Sequence, residues 1–152
     1  MNKQKILVCG ATGFIGRNMV EYFLKRSDME VIGVFNKRPK YDLPNLKWVK
    51  ADLNNSVDVS RALDGIDIVI QAAATTSCSK DIVSRPYIHV TDNAVMNSLL
   101  FREAFEKKVK HVIFFSCTVM LQSSDKPQSE EDYDANSDLH PRYFGVGHTK
   151  LY

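Results

Sequence analysis

Gly10-Ala11-Thr12-Gly13-Phe14-Ile15-Gly16 is the stretch whose reading decides the fold. It follows directly on the apolar run Ile6-Leu7-Val8 and opens the segment Phe14 to Lys25. In that segment Ile15, Met19, Val20, Phe23 and Leu24 recur close to the helical period. The local order is therefore strand, glycine turn, helix. Each glycine has a physical role in such a turn. Gly10 permits a tight reversal at positive φ. Gly13, without a Cβ, lets a pyrophosphate approach the backbone. Gly16 lets the helix pack closely on the strand. The unpaired N–H groups at the start of the helix, helped by its dipole, then face the phosphates. The spacing is GxxGxxG rather than GxGxxG. A glycine-rich turn without a ligand is the bland alternative, and the strand before, the helix after and the second βαβ unit behind argue against it.

Working outward, four more apolar blocks follow: Val31 to Phe35, Leu46 to Val49, Ile66 to Ile70 and Val112 to Phe115. Several are continuous and rich in β-branched residues, as expected of strands buried on both faces of a parallel sheet. Between them, Asn55 or Ser56 caps a short helix that runs to Leu63 and stops at Gly65. Asp92 to Lys107 reads as an amphipathic helix with the stripe Val95, Met96, Leu99, Leu100 and Ala104. The pair Lys107-Lys108 suits its C-terminal end. Ser123 to Pro141 is polar and acidic and reads as an irregular loop, and Arg142 to Tyr152 begins a further helix. The alternation predicts an α/β fold with a doubly wound parallel sheet, one domain over residues 1–152.

Bulk composition narrows the function. The 152 residues are 44% hydrophobic and 25% charged, with a net charge of +2. That charge is too mild to imply nucleic acid or an anionic membrane as partner. The three cysteines, Cys9, Cys78 and Cys117, are odd in number and lack CxxC spacing, which argues against a disulfide framework and a zinc site. The four histidines show no ligand spacing, so no metal is expected. A reducing, cytoplasmic setting fits. The opening apolar run breaks at Gly10, too early for a signal peptide or a membrane span.

The motif Gly10 to Gly16 resembles the glycine loop of the extended short-chain dehydrogenase/reductase family, the NAD-dependent epimerases, dehydratases and reductases of nucleotide sugars. Further landmarks fall in the family's order. Asp52-Leu53 matches the Asp-Leu beside the adenine ring. Gln71-Ala72-Ala73-Ala74 matches the His-x-Ala-Ala that ends the fourth strand. Asn93 falls where the family has a helical Asn. Ser116-Cys117-Thr118-Val119-Met120-Leu121-Gln122 lines up with Ser-Ser-x-x-Val-Tyr-Gly. Lys126-Pro127 to Glu130-Glu131-Asp132 resembles a Pro-x-x-Glu-Asp loop, and Gly147-His148-Thr149-Lys150-Leu151 the Gly-x-Ser-Lys-Leu around the catalytic lysine. The resemblance implies a Rossmann-like fold with a dinucleotide held by Gly10, Thr12, Gly13, Phe14, Ile15, Gly16, Asn36, Arg38, Asp52, Leu53, Ala72, Ala73, Ala74, Asn93 and Lys150.

The end of the second strand bears on which dinucleotide. An acid there would bond the ribose hydroxyls and repel a 2′-phosphate. This sequence has Asn36-Lys37-Arg38 instead. Asn36 can bond a ribose, and the planar fork of Arg38 suits phosphate oxygens. NADP is favoured over NAD by a small margin. A solvated basic turn, continuing into Lys40, is the alternative.

In the family a Tyr four residues before the Lys is the general acid/base, the Lys lowers its pKa, and a Ser or Thr orients the substrate. Lys150 fits the lysine position, but Val146 stands where the Tyr is expected. Tyr143 is the nearest tyrosine. At a spacing of seven it serves only if its backbone is not helical, and otherwise it is a packing residue. Strict register puts Cys117 at the hydroxyl position, and Thr118 is the hydroxyl favoured beside it. Leu121 replaces a Tyr on the substrate side. Family members run to about twice this length, so the chain is expected to end before the C-terminal substrate portion, as a cloned fragment, a truncated reading frame or a short binding protein. Uncovered sheet edges would favour a homodimer. Three functions are thus open: part of a nucleotide-sugar enzyme inactive on its own, a non-catalytic dinucleotide module or redox sensor, and a structural domain that binds nothing.

Overall fold

The computed structural model describes residues 3–76 and 79–152, so Cys78 lies outside the described residues. Five strands form one sheet: β1 (Gln4–Cys9), β2 (Met29–Phe35), β3 (Lys47–Lys50), β4 (Ile68–Gln71) and β5 (His111–Phe114). Their order is β3-β2-β1-β4-β5 and every pairing is parallel. The helices are α1 (Phe14–Phe23), α2 (Ser56–Ala62), α3 (Ser79–Ser84), α4 (Tyr87–Glu106) and α5 (Phe144–Leu151). The expected α/β doubly wound sheet is present, with each strand within two residues of its apolar block.

The chain divides into two compact units. The first is Met1–Ala74 with Val95–Phe115, and the second is Thr75–Ala94 with Ser116–Tyr152. The first unit holds the sheet and two apolar clusters. Leu7, Cys9, Ile32, Val34 and Val69 pack with Val59, Leu63, Met96, Leu100 and Ala104. Ile6, Val8, Val31 and Ile70 pack with Val20, Met19 and Phe23. Alternate strand residues thus enter opposite clusters, because side chains alternate across a pleated strand. One face is covered by α2 and α4, the other by α1. Each fully buried Leu or Ile contributes roughly 1.5–3 kcal/mol.

Local chemistry sets the element ends. Asn55 caps α2 as expected, its Oδ1 accepting from the N–H of Val57 at 3.0 Å and of Asp58 at 3.1 Å. Gly65 follows at φ +66°. Gly33 keeps β2 free of a side chain where the Trp48 ring lies, 2.8 Å from an added Cβ.

Three expectations need correction. The helix predicted from Asp92 begins at Tyr87, because Pro86 supplies a start signal one residue before it. Val95 in its stripe is exposed, and Asn97 is buried instead. The acidic stretch expected to be irregular contains a 3₁₀ turn at Glu130–Asp132, closed by a capping box between Ser129 and Asp132. Helix α3 gave no periodic signal at six residues.

In the second unit, α5 packs at Gly147, where an added Cβ would stand 2.7 Å from the Val119 carbonyl oxygen. Thr149 Oγ1 donates back to the Gly145 carbonyl at 2.8 Å.

Candidate dinucleotide site

The order of the sheet reverses between β1 and β4, which both neighbour the chain's first turn. Cys9 and Gln71 are partners across this pair. Their successors, Gly10 and Ala72, therefore meet at the carboxyl edge, where open α/β sheets bind ligands. Gly10 adopts φ +71°. An added Cβ would lie 2.7 Å from Ala72 O and 2.8 Å from Ala73 Cα. Only glycine satisfies both the left-handed backbone and that approach. The Gly13 N–H donates to Gly10 O at 2.9 Å and closes the turn.

Gly13 is also the N-cap of α1 and carries no side-chain cap. The first intrahelical bond there runs from Arg17 N to Gly13 O at 2.9 Å. The N–H groups of Phe14, Ile15 and Gly16 precede it and have no intrahelical carbonyl to bond. An added Cβ at Gly13 would meet only Gly10 O, at 3.2 Å, and otherwise open space. An added Cβ at Gly16 would overlap Gly10 O. Gly16 therefore fits α1 against the turn backbone, rather than against the strand as its position alone implied. Phe14 is 86% exposed at the mouth of the helix.

The segment after β2 folds back onto this turn. Arg38 Nη1 donates to Thr12 O at 3.2 Å, and Tyr41 Oη donates to Ala11 O at 3.2 Å. The Arg17 guanidinium stacks 4.6 Å from the Tyr41 ring centroid. Asn36 and Arg38 are both exposed. Asp52 is exposed, with Oδ1 accepting from Asn54 N at 3.0 Å, whereas Leu53 is buried in the core. Ala72 and Ala73 are half-buried and Ala74 is exposed.

The remaining expected residues belong to the second unit. Asn93 is buried, and its carboxamide serves the backbone. Oδ1 accepts from Thr75 N at 2.9 Å, while Nδ2 donates to Thr75 O at 3.0 Å and His89 O at 2.7 Å. Thr118 is exposed at the start of a 3₁₀ turn. Lys150 lies in the last turn of α5. Burial holds its ammonium below the ordinary lysine range, and the nearby Cys117 sulfur opposes that shift. Tyr143 ends the 3₁₀ turn Pro141–Tyr143 and is the N-cap of α5, at φ −112° and ψ 6°. Its backbone thus lies outside α5 but within the 3₁₀ turn. Val146 is half-buried on α5. Among the described residues, no three His, Cys, Asp or Glu side chains gather to hold a metal ion. No helix among them is long and apolar enough to cross a membrane.

Sequence reasoning overlooked Gln71 and Asn97 as a pair. Gln71 Nε2 donates to Asn97 Oδ1 at 2.8 Å. The available signal was Asn93 and Asn97 at i and i+4, with Asn97 in line with Leu100 and Ala104 on a core-facing helix.

A glycine turn of this geometry, at this edge of a parallel sheet, is joined by a match over residues 6–144 to the model of the NAD dependent epimerase/dehydratase family. The chain belongs to that family. Within it, the chain is 28% identical over 131 residues to mouse sterol-4-alpha-carboxylate 3-dehydrogenase, decarboxylating, covering 85% of this chain and 34% of the relative. It is 29% identical over 143 residues to UDP-glucose 4-epimerase of Vibrio cholerae, covering 86% of this chain and 43% of that one. The structure of MoeE5 in complex with UDP-glucose and NAD superposes with a TM-score of 0.77 at 26% identity, over 97% of this chain and 46% of MoeE5. This member of the epimerase/dehydratase family therefore spans less than half the length of each of these relatives.

Proposed function

We propose that this chain is the dinucleotide-binding portion of a nucleotide-sugar epimerase, dehydratase or reductase, and that it takes NADP in preference to NAD. The observation that carries the reading is the Gly10 turn. It sits in the left-handed region, against the Ala72-Ala73 backbone, below a helix whose first amides carry no cap. Such amides are the partners a diphosphate needs. The NADP preference rests on Arg38, an exposed guanidinium tethered to the loop where no acidic residue follows β2. When bound, the dinucleotide accepts or donates hydride. The chain's part is to hold it: Gly13 by leaving room, Gly16 by seating α1 on the turn, Phe14 to Gly16 by their amides, and Asn36 and Arg38 at the ribose end.

Thr118, Tyr143 and Lys150 are proposed as the groups that orient the substrate and move its proton, with Tyr143 standing in for the residue that Val146 lacks. Val146 itself favours a second reading, a module that binds the dinucleotide without turnover. A nucleotide sugar is the proposed substrate of the complete protein. The sterol enzyme is matched at nearly the same identity, so both substrate classes belong in the assay. A homodimer in a reducing, cytoplasmic setting is part of the proposal. It is supported by exposed Phe101 and Phe105 on α4 and exposed Ile113 on β5.

Fluorescence titration with NADPH and NADH tests the core of the reading. Saturable binding with NADPH tighter than NADH is expected. Binding of neither leaves a structural domain, and tighter NADH overturns the role of Arg38. Assay with nucleotide sugars then separates enzyme from module.

A further inference from the structure

Gln71 ends β4 and is 1% exposed, yet both ends of its carboxamide are engaged. Nε2 donates to Asn97 Oδ1 at 2.8 Å, and Oε1 accepts from the Ala73 N–H at 3.3 Å. The assignment of oxygen and nitrogen follows from Ala73, since a backbone N–H can only donate. The Gln71 nitrogen then faces Asn97, which must present its oxygen. Asn97 is 6% exposed on α4, among Met96, Leu100 and Ala104. Packing alone gives no reason for two carboxamides there, because burying them costs free energy unless each is bonded.

What the pair holds is the Ala72-Ala73 backbone. That segment is the wall that approaches Gly10, to 2.7 Å and 2.8 Å from the site of an added Cβ. On the strand side Ala72 N donates to Cys9 O at 3.2 Å. One residue on, the sheet ladder has ended, and the Ala73 N–H has the Gln71 side chain as its acceptor. We infer that Gln71 is a positioning residue: braced by Asn97, it pins the Ala72-Ala73 backbone beside the Gly10 turn and so sets the width of the dinucleotide slot. This rests on the dinucleotide reading above. Gln71 acts through Ala73 and not by contact with the cofactor.

The test is a cycle on the full chain, reading thermal midpoint and NADPH affinity together. Gln71→Met removes the acceptor and strands Asn97, so both readouts fall, with affinity down about tenfold. The double variant Gln71→Met, Asn97→Leu replaces both partners by apolar groups, which recovers most of the thermal midpoint. Its NADPH affinity stays about tenfold weak, because the Ala73 N–H is still unpinned. Affinity that recovers along with the midpoint means a merely structural pair and overturns the inference. Should the double variant fail to fold, amide exchange of wild-type Ala73 decides. Protection in the free protein similar to that of Ala72 is expected, and fast exchange overturns the pin. Wild-type protein that binds neither NADPH nor NADH overturns the dinucleotide reading itself, whereas wild-type binding matched by Gln71→Met overturns the pin alone.

Discussion

Arg38 and Thr12 are joined across 26 positions of sequence, the guanidinium Nη1 donating to the loop carbonyl at 3.2 Å. One nitrogen engaged with backbone leaves other donors of the fork for a ligand. The bond also aims the side chain toward the glycine turn rather than into solvent. Arg38→Leu should therefore weaken NADPH about tenfold or more, the size expected for losing a charge-assisted hydrogen bond. NADH affinity should change by less than about twofold, since it has no 2′-phosphate to lose. Parallel titrations at two salt concentrations check this. Equal losses for both cofactors would show that Arg38 supports the loop and not the phosphate.

Gly10 and Gly13 are separable by substitution. Gly10→Ala places a side chain at φ +71° and within 2.7 Å of Ala72 O, so stability and binding should both fall. The left-handed backbone alone costs roughly 1–2 kcal/mol. Gly13→Ala meets only Gly10 O at 3.2 Å and keeps an ordinary φ, so the protein should fold with a thermal midpoint lowered much less than that of Gly10→Ala. Its cofactor binding should nevertheless be lost, because the new methyl stands where the pyrophosphate approaches. Calorimetry beside titration reads the difference, and a Gly13→Ala protein that binds normally removes the close-approach argument.

Cys9 is wholly buried, and burial pushes its thiol up to about 12 from 9.0. The folded protein keeps this thiol neutral after the unfolded chain has begun to ionise. The associated stability is complete below about pH 9 and is lost as pH rises toward 12, at up to about 1.4 kcal/mol per pH unit. The stability advantage of wild type over Cys9→Ala should be constant from pH 7 to 8.5 and shrink from pH 9 to 11. Denaturant melts of the two proteins measure it; a flat difference would mean the site is hydrated. Peptide mapping after alkylation at pH 8 should find Cys117 labelled and Cys9 unlabelled until the protein is denatured.

Asn55 supplies both capping bonds of α2, which packs on the opposite face of the sheet from α1. Asn55→Ala should cost about 1 kcal/mol, or roughly 2–4 °C in thermal midpoint for a chain of this size. NADPH affinity should stay within about twofold, so this variant separates general destabilisation from damage to the site. A large loss of affinity would tie α2 to binding.

The helix carrying Asn93 and Asn97 shows where the limits of sequence reading fell. Strand blocks, the glycine turn and the cap at Asn55 were legible because each is a local matter of hydrophobic period, φ preference or one side chain bonding its own backbone. The burial of Asn97 in place of Val95 was not, since pattern alone does not say which side of a helix meets the sheet, while the start of α4 at Tyr87 had its local signal in Pro86 and not in the apolar stripe. Tyr143 could be named but not oriented, because its place outside α5 depends on Pro141 and the 3₁₀ turn it starts.

From the order of residues alone came the parallel α/β plan and the phosphate turn, because the turn and each successive strand and helix are marked by their own neighbouring residues. Tertiary structure alone decided that Arg38 reaches Thr12, that Gln71 bridges Asn97 and Ala73, and that Gly16 packs on the turn. Those pairings join segments up to 26 residues apart. Their partners are chosen by strand order and packing, which no local window of sequence contains.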